Sequence, residues 1–228
     1  MDNDIFNQIA SDYRDIHKAN LKSVGGDSEY YAEYKIKELA TKLKNHKAIQ
    51  ILDLGCGDGL SSIYFQTYFT ESAYFGVDIS SESIKEATKK RVGNFQVYDG
   101  HSLPFSENEF DLLFVSCVLH HIALEDRPIV FQEIKRVLKP GGILAIFEHN
   151  PFNPITQRIV STCVFDKDAI LLKPASLKKQ LKKIGFSNTK IIYTLFFPRW
   201  KIFQPFYKLE RFFTKIPLGG QYYVTCSK

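Results

Sequence analysis

The sequence lacks any apolar segment long enough to cross a membrane. The longest runs, such as 112–119, fall far short of the roughly 20 residues that a spanning helix needs. The first ten residues, MDNDIFNQIA, are acidic and polar and show no signal-peptide pattern. We therefore expect a cytoplasmic protein that folds around its own core, since 44% of its 228 residues are hydrophobic.

Cysteine is scarce, and no two cysteines are close enough in the sequence to suggest a pair. The four residues, Cys56, Cys117, Cys163 and Cys226, form no C-x-x-C motif. The usual spacing of a structural zinc site is therefore missing, and the pattern predicts reduced, mostly buried thiols in a reducing compartment.

Acidic residues are nearly missing from one end of the chain. Residues 171–228 hold twelve Lys or Arg and one acid, Glu210, a balance of +11 that leaves −6 for the rest of a chain whose net charge is +5. This division predicts either that the basic end meets an anionic partner or that it forms a solvated, lysine-rich face.

Short apolar strands alternate with amphipathic helices along most of the chain. Apolar residues at steps of three and four predict two leading helices, at 5–16 and 28–43. The predicted strands lie at 49–54, 73–78, 94–98, 111–117, 143–148, 190–197 and 221–227. Helices between the earlier strands predict an α/β fold with a doubly wound, mainly parallel sheet and right-handed crossovers. Ligands of such sheets bind at the carboxyl ends of the strands.

A glycine-rich turn follows the first predicted strand, in the stretch IQILDLGCGDGL at 49–60. Its glycines allow a sharp turn and a close approach of the backbone to a ligand. Their spacing is G-x-G-x-G, whereas the dinucleotide fingerprint has its third glycine one position later, where this chain has Leu60. Asp58 inside the turn would also repel a pyrophosphate. The turn therefore predicts a nucleotide-like ligand with a cationic end and disfavours a nicotinamide oxidoreductase.

Four sequence blocks resemble the class I S-adenosylmethionine-dependent methyltransferases, most closely their type 11 branch. The blocks are LDLGCGDG, YDGHSLPF, FDLLFVSCVLHHI and EIKRVLKPGGILAIFEHN, and an acid ends the strand between the first two. The resemblance implies a methyltransferase with a Rossmann-like sheet of seven strands, the last antiparallel and inserted beside the sixth. We expect one domain over 1–228, with an N-terminal helical cap (1–45), a cofactor-binding core (46–150) and a substrate-lining segment with the last strands (151–228).

The resemblance also implies how the glycine turn holds S-adenosylmethionine and its product S-adenosylhomocysteine. The methionine portion and its ammonium group would be held by Asp53, Gly55, Cys56, Gly57 and Gly59. Asp78 would accept the two ribose hydroxyls, because a carboxylate suits a vicinal diol. A carboxylate at a strand end can instead cap the next helix, and that alternative stays open for each acid.

The remaining cofactor residues implied by the resemblance lie on other elements. Ile79 would pack on the adenine, and Asp99 would take its amino group with Gly100 and His101 beside the ring. Ser116 would border the reacting methyl group. Tyr13, in the first predicted helix, would close over the cofactor.

Three side chains at strand ends are candidates for catalysis. His120 and His121 follow the fourth strand, and Glu148 ends the fifth. Methyl transfer depends largely on positioning, but an oxygen acceptor also needs a base with a pKa near neutrality, as histidine has. We expect His120 to be that base, unless one of the pair has a structural role. Two adjacent histidines lack the spacing of a helical metal pair, so we predict no metal.

The resemblance implies that the acceptor is determined by segments outside the core, here at 1–30, 149–172 and 195–220. The last is dense in aromatics and cations, which predicts either core packing or an apolar pocket with a cationic rim for a lipid-like, prenylated or phosphate-bearing molecule. Peripheral contact with an anionic membrane through 195–216 is a further interpretation. Pro205 and Pro217 favour a broken lid over one long helix. The oligomeric state is not indicated.

Two other functions stay open beside a small-molecule methyltransferase acting on oxygen or nitrogen. A nucleic-acid methyltransferase would bind phosphates with the basic end. However, the fourth strand ends in Ser116-Cys117-Val118-Leu119 and not in the Asn/Asp-Pro-Pro-aromatic motif that holds a flipped base. A non-catalytic S-adenosylmethionine-binding protein would bind without turnover, although nothing in the glycine turn is degenerate.

Overall fold

The computed structural model describes residues 24–43, 49–163, 166 and 169–228, which form a seven-stranded sheet with helices on both faces. The strands are β1 (Gln50–Leu54), β2 (Ala73–Asp78), β3 (Asn94–Val97), β4 (Phe110–Ser116), β5 (Leu138–His149), β6 (Ser187–Thr194) and β7 (Gln221–Ser227). Their spatial order is β3-β2-β1-β4-β5-β7-β6. Only β7 runs antiparallel to its neighbours among these described strands, so the predicted α/β fold is confirmed.

The helices precede, connect and follow the strands. They are α1 (Ser28–Lys42), α2 (Leu60–Tyr68), α3 (Ser81–Lys90), α4 (Arg127–Val137), α5 (Pro154–Thr162), α6 (Pro174–Ile184) and α7 (Glu210–Phe213). Two 3₁₀ helices lie at Leu119–His121 and Lys201–Leu209. The first predicted helix, with Tyr13, lies outside the described residues. No described helix combines the length and the apolar character needed to cross a membrane.

The central strands are buried on both faces, which explains their continuous apolar sequence. On one face Leu52 and Leu113 pack in a core that includes residues of α4 and α6. On the other face Ile51 packs with residues of α1 and α2. Truncating a buried leucine of this kind to alanine costs about 2–5 kcal/mol, so these strands hold the site edge rigidly.

The connection between β5 and α6 differs from the sequence expectation. Residues 149–172 were expected as a long connection, yet they contain the helix α5. The Asn153 side chain accepts a hydrogen bond from the Thr156 N–H at 2.9 Å, and Pro154 begins the helix. Asn as the N-cap with Pro at the first helical position is a usual helix start, so the signal was present but overlooked.

The segment after β6 agrees with the expected broken lid. It contains the 3₁₀ helix with Pro205 inside it, then the single turn α7. Asn150 donates to the carbonyl oxygens of Pro217 (3.1 Å) and Gly219 (2.7 Å). These bonds tie the end of the segment to the carboxyl end of β5.

Candidate functional site

The carboxyl ends of β1, β2, β4 and β5 meet at one edge of the sheet, as their parallel register requires. A cavity of about 340 Å³ opens along this edge. The lid segment and α5 form its far wall. Gln221 also lines the cavity, because the antiparallel β7 begins where β5 ends.

The glycines of the turn have different physical roles. At Gly55 (φ +76°) a Cβ would lie 2.3 Å from Cγ2 of Val118, so the backbone there packs against the segment after β4. Gly57 (φ +54°) lines the cavity, and apart from its two chain neighbours no described residue lies within 4 Å of where its Cβ would stand. Gly57 therefore offers bare backbone to a ligand. Cys56 also lines the cavity, whereas at Gly59 a Cβ would meet the Phe95 ring at 2.7 Å.

Asp53 carries a buried carboxyl group at the end of β1. Its side chain accepts a hydrogen bond from the Tyr74 hydroxyl at 2.6 Å. Burial raises the pKa of Asp53 to about 7, with a further raising effect from Asp78 and a lowering effect from Lys35. A buried carboxyl group at the cavity wall favours a cationic ligand group, because a nearby positive charge restores its ionised form.

Asp78 braces the turn from the end of β2 and also lines the cavity. Its carboxylate accepts hydrogen bonds from the N–H groups of Gly57 and Ser80, each at 2.9 Å. Burial raises the pKa of Asp78, while these backbone bonds lower it. Ile79 and Tyr98 line the wall beside it. Tyr98 was not singled out in the sequence, although it is the last residue of the third predicted strand.

The next three predicted cofactor residues are not among those that line the cavity, although Gly100 approaches Ile79 of the wall. Asp99 accepts hydrogen bonds from the N–H groups of His101 (2.8 Å) and Ser102 (2.7 Å), which lower the pKa of its carboxyl group. The described cavity wall does not include Asp99, Gly100 or His101. In this arrangement Asp99 stabilises its own turn, and its contact with adenine stays a prediction.

A buried lysine reaches the end of β4. Lys35 of α1 donates to the Ser116 hydroxyl at 2.7 Å, and its Nζ lies 3.6 Å from Sγ of Cys117. Burial raises the pKa of the Cys117 thiol, but Lys35 and His149 outweigh it and lower that pKa to about 6. Cys117 also has a left-handed backbone (φ +57°), which is uncommon outside glycine. Sequence reasoning identified Ser116 but missed Lys35, which donates to its hydroxyl, and the contact of that lysine with Cys117.

His120 is held between two carboxylates. Its Nδ1 lies 2.6 Å from Oε2 of Glu148, and its Nε2 lies 3.2 Å from Oδ1 of Asp166. Burial lowers the pKa of His120, but Glu148 and Asp166 raise it to about 10. Both ring nitrogens are thus engaged by carboxylates, and the raised pKa favours the protonated ring, which cannot accept a proton. These contacts favour the alternative of a structural role, and the role of His120 as general base stays a prediction.

Glu148 and His121 flank this buried histidine. Glu148 is fully buried behind it and accepts a hydrogen bond from the Leu119 N–H at 2.9 Å. Glu148 thus positions His120 and is not among the residues that line the described cavity. Nε2 of His121 lies 3.4 Å from Asp166, and burial together with the charge of His120 lowers the pKa of His121 to about 4. Asp166, from the 149–172 connection, was missed by sequence reasoning because no motif marks it.

Apolar side chains line the cavity where α5 and the lid segment meet it, namely Ile155 and Ile159 of α5 and Phe196 and Phe197 of the lid segment. Two of the three segments expected to determine the acceptor, 149–172 and 195–220, therefore line the cavity here.

The cations expected as a rim of the pocket have other positions. Arg199 is 2% exposed, pairs with Glu210 at 2.8 Å and lies over the Tyr207 ring at 4.3 Å. Glu210 also accepts hydrogen bonds from the N–H groups of Phe196 (3.0 Å) and Phe197 (3.1 Å). Arg199 thus fastens the lid, and the neighbouring basic residues Lys201, Lys208, Arg211 and Lys215 point to the outer surface.

Comparison with known proteins gives consistent matches. A family model described as a methyltransferase domain matches residues 52–146. An uncharacterized methyltransferase of Schizosaccharomyces pombe is 34% identical over 134 residues, covering 54% of this chain and 45% of that protein. An uncharacterized protein of Methanocaldococcus jannaschii is 32% identical over 148 residues, covering 64% of this chain and 68% of that protein.

A third relative is named for its substrate. Phosphoethanolamine N-methyltransferase 1 of Triticum aestivum is 30% identical over 119 residues, covering 50% of this chain and 23% of that enzyme. The matched region thus spans half or less of the length of the S. pombe and T. aestivum proteins.

Two solved structures share the fold. A SAM-dependent methyltransferase of Thermotoga maritima has a TM-score of 0.69 at 18% identity, with 98% of each chain covered. Phosphoethanolamine N-methyltransferase 2 of Haemonchus contortus, solved with phosphomonomethylethanolamine and S-adenosylhomocysteine, has a TM-score of 0.59 at 20% identity, covering 84% of this chain and 52% of that one.

Proposed function

Because the chain belongs to the class I S-adenosylmethionine-dependent methyltransferases, we propose that it methylates an oxygen or nitrogen atom of a small amphipathic acceptor. The methyl donor is S-adenosylmethionine, whose sulfonium group supplies an activated methyl. The observation that carries the acceptor class is the two-ended cavity, polar at the glycine turn and apolar at α5 and the lid.

The polar end fits the methyl donor. Gly57 leaves space for a ligand against bare backbone, and the buried Asp53 suits an ammonium group. We assign Asp53, Gly55, Cys56 and Gly57 to the methionine portion. Gly59 would support this turn from beneath.

The nucleoside portion would lie along the next strand ends. We assign Asp78 to the ribose, and Ile79 with Tyr98 to the adenine, because all three line one stretch of the wall. Asp99, Gly100 and His101 remain candidates for the adenine edge, and Ser116 for the border with the reacting methyl.

The residues that prepare the acceptor would be the histidine–carboxylate cluster between the two ends. His120, His121 and Asp166 all line the cavity, with Glu148 behind them. Any nucleophile placed there would form its bond to carbon as the carbon–sulfur bond breaks, leaving a neutral thioether. Because the leaving group needs no proton, the cluster would act on the acceptor alone.

The acceptor itself would carry an apolar part and a polar head. Ile155, Ile159, Phe196 and Phe197 favour a lipid-like or prenylated part. The phosphoethanolamine N-methyltransferase relatives favour a head that bears phosphate, and Lys35 is a cation at the wall suited to an anionic group.

An amphipathic acceptor would be collected at a membrane surface. The outer face of the lid exposes Ile202 (75%), Phe212 (66%) and Leu218 (61%) beside Lys201 and Arg211. Large apolar side chains among cations are typical of surfaces that bind anionic lipid.

Turnover with chosen acceptors tests this function. We would measure S-adenosylhomocysteine release with a long-chain phenol, a phosphorylated amino alcohol and a short RNA. Turnover with either small molecule supports the proposal. Turnover with RNA alone, falling steeply with salt, would identify a nucleic-acid methyltransferase and contradict it. Cofactor binding without turnover on any acceptor of these classes would favour the non-catalytic alternative.

A further inference from the structure

The cluster of His120, His121 and Asp166 has the dimensions of a metal site. Each residue offers one ligand atom, and the three atoms lie within 4.8 Å of one another. Asp166 Oδ1 lies 3.2 Å from Nε2 of His120 and 3.4 Å from Nε2 of His121. Two ligand atoms that each bind a tetrahedral metal ion at about 2.0–2.1 Å lie about 3.3 Å from one another. Two of the three distances between ligand atoms in the cluster already match this value.

Glu148 supplies the carboxylate partner that a metal-binding histidine usually has at its other ring nitrogen. Its Oε2 lies 2.6 Å from Nδ1 of His120, and its other oxygen is anchored by the Leu119 N–H at 2.9 Å. A carboxylate behind a histidine fixes the ring orientation. An ion bound to Nε2 of His120 and to Asp166 would take the place of their present contact and would displace the proton on Nε2. Burial of the whole Glu148 side chain, at 0% exposure, makes this orientation rigid.

We propose that His120, His121 and Asp166 bind one divalent transition-metal ion, with zinc the ion that two imidazoles and one carboxylate suit best. The sequence predicted no metal, because two adjacent histidines do not have the spacing of a metal-binding histidine pair on a helix. The third ligand comes from a distant segment that only folding brings to them. The ion would lie at the cavity wall, so that an acceptor atom can complete its coordination.

The inference rests on the proposed function in one respect, namely that the acceptor enters this cavity. An acceptor hydroxyl on the ion would lose its proton to solvent more readily than a free hydroxyl. The resulting oxygen would then form its bond to the methyl carbon as the carbon–sulfur bond breaks.

Zinc binding can be measured without any acceptor. Chelator-treated protein would be titrated with zinc chloride by calorimetry, and with cobalt chloride for the visible absorption of a four-coordinate site. We expect one ion per chain, and binding at least about tenfold weaker in His121→Ala and Asp166→Asn. Glu148→Gln should weaken zinc binding by about 10–100-fold, as substitutions of residues that hydrogen-bond to metal ligands do. The matched control for zinc binding is His101→Ala, an exposed histidine that is not among the residues lining the cavity, which should bind zinc as the wild type does.

Several results would overturn the site. These are no stoichiometric binding by the wild type, unchanged binding in both ligand variants, or an equal loss in His101→Ala. Thermal melting and S-adenosylhomocysteine binding, measured on each variant, separate a lost ligand from a lost fold. A wild type that binds S-adenosylhomocysteine and no zinc contradicts the metal alone. A wild type that binds zinc but shows no methyl transfer contradicts the proposed function and leaves the metal site standing.

Discussion

The carboxylate of Asp78 accepts a hydrogen bond from the backbone N–H of Gly57 at 2.9 Å, which joins the end of β2 to the glycine turn after β1. The same carboxylate accepts from the Ser80 N–H at 2.9 Å and lines the cavity. One side chain therefore shapes the turn and faces the proposed ribose position.

Replacement of Asp78 should reduce both cofactor affinity and stability. In Asp78→Ala the Gly57 and Ser80 N–H groups lose their acceptor, which costs about 1–3 kcal/mol of unfolding free energy. Calorimetry should show a loss of S-adenosylhomocysteine affinity of at least about tenfold, since a hydrogen bond to a charged group contributes about 1.5–3 kcal/mol. Glu107→Ala, at an exposed acid before β4, is the matched control and should change neither quantity. Full affinity in Asp78→Ala would refute the ribose assignment.

Cofactor affinity should rise with pH up to about 7 and then level off, through Asp53. In the ligand-free protein burial raises the pKa of this carboxyl group to about 7, so it is largely protonated below that pH. A bound ammonium group favours the carboxylate, so binding below pH 7 releases a proton. The slope approaches about tenfold per pH unit when one full proton is released.

The proton release can be measured directly. Calorimetry in buffers of different ionisation enthalpy reports the protons exchanged on binding S-adenosylhomocysteine. Tyr74, Asp78 and Lys35 also influence the pKa of Asp53. A substitution of Asp53 alone leaves these three residues unchanged, so it tests the contribution of this carboxyl group. Asp53→Asn should abolish the release, and an unchanged release would assign it to another group, such as the Cys117 thiol with its pKa of about 6.

Alanine at Gly55 should mainly reduce stability, whereas alanine at Gly57 should mainly reduce ligand affinity. Both residues have positive φ, so each substitution carries a similar strain of about 1–2 kcal/mol. At Gly55 the new methyl group would also meet Val118 at 2.3 Å, adding about 1–3 kcal/mol of overpacking. At Gly57 the methyl group would project into open cavity and obstruct the ligand.

Chemical denaturation and ligand titration separate these effects. Gly55→Ala should be the less stable variant, and Val118→Ala in the same chain should restore part of its stability. Gly57→Ala should show the greater loss of S-adenosylhomocysteine affinity. Equal affinities in the two variants would mean that the ligand does not approach Gly57.

The outer face of the lid should bind anionic vesicles. We expect co-sedimentation with vesicles containing phosphatidylserine and little with neutral ones. Lys201→Glu should weaken binding about fivefold or more, since a basic residue near an anionic surface contributes about 1 kcal/mol. Phe212→Asp should also weaken it, because the exposed ring would no longer enter the lipid.

The control for this surface lies elsewhere on the molecule. Val92, 72% exposed after α3, can be changed to Asp without touching the lid. Equal losses in Val92→Asp and Phe212→Asp, or binding to neutral vesicles as strong as to anionic ones, would contradict the membrane interpretation.

The order of strands and the position of the site followed from local patterns. Apolar runs such as 49–54 predict strands buried on both faces, and parallel strands must bring their carboxyl ends to one edge. The glycine spacing indicated a nucleotide-like ligand with a cationic end, and the resemblance of four sequence blocks to a known family then implied the cofactor and the roles of Asp53 and Asp78. Those features depend on neighbours in the chain, and for that reason the sequence alone determined them.

The state of each catalytic candidate depended on residues far away in the chain. His120 was expected to be a base, but Glu148 and Asp166 engage both of its nitrogens, and a pKa is determined by nearby charge and burial. Likewise a cationic rim around the pocket was one of two interpretations of 195–220, the other being core packing, and Arg199 of that segment instead pairs with Glu210. The helix α5, Tyr98, and the Lys35 contact with Ser116 also went unrecognised.

The sequence by itself determined the fold, the family and the donor of the methyl group, because strand periodicity and the glycine turn are short-range patterns. Only the tertiary structure decided what surrounds the acceptor. It brought Asp166 to the two histidines and placed α5 and the lid across the cavity. It also turned the lid's exposed cations away from that cavity. Contacts between distant segments leave no local pattern, so their charges, pKa shifts and possible ligands emerge only when the chain is folded.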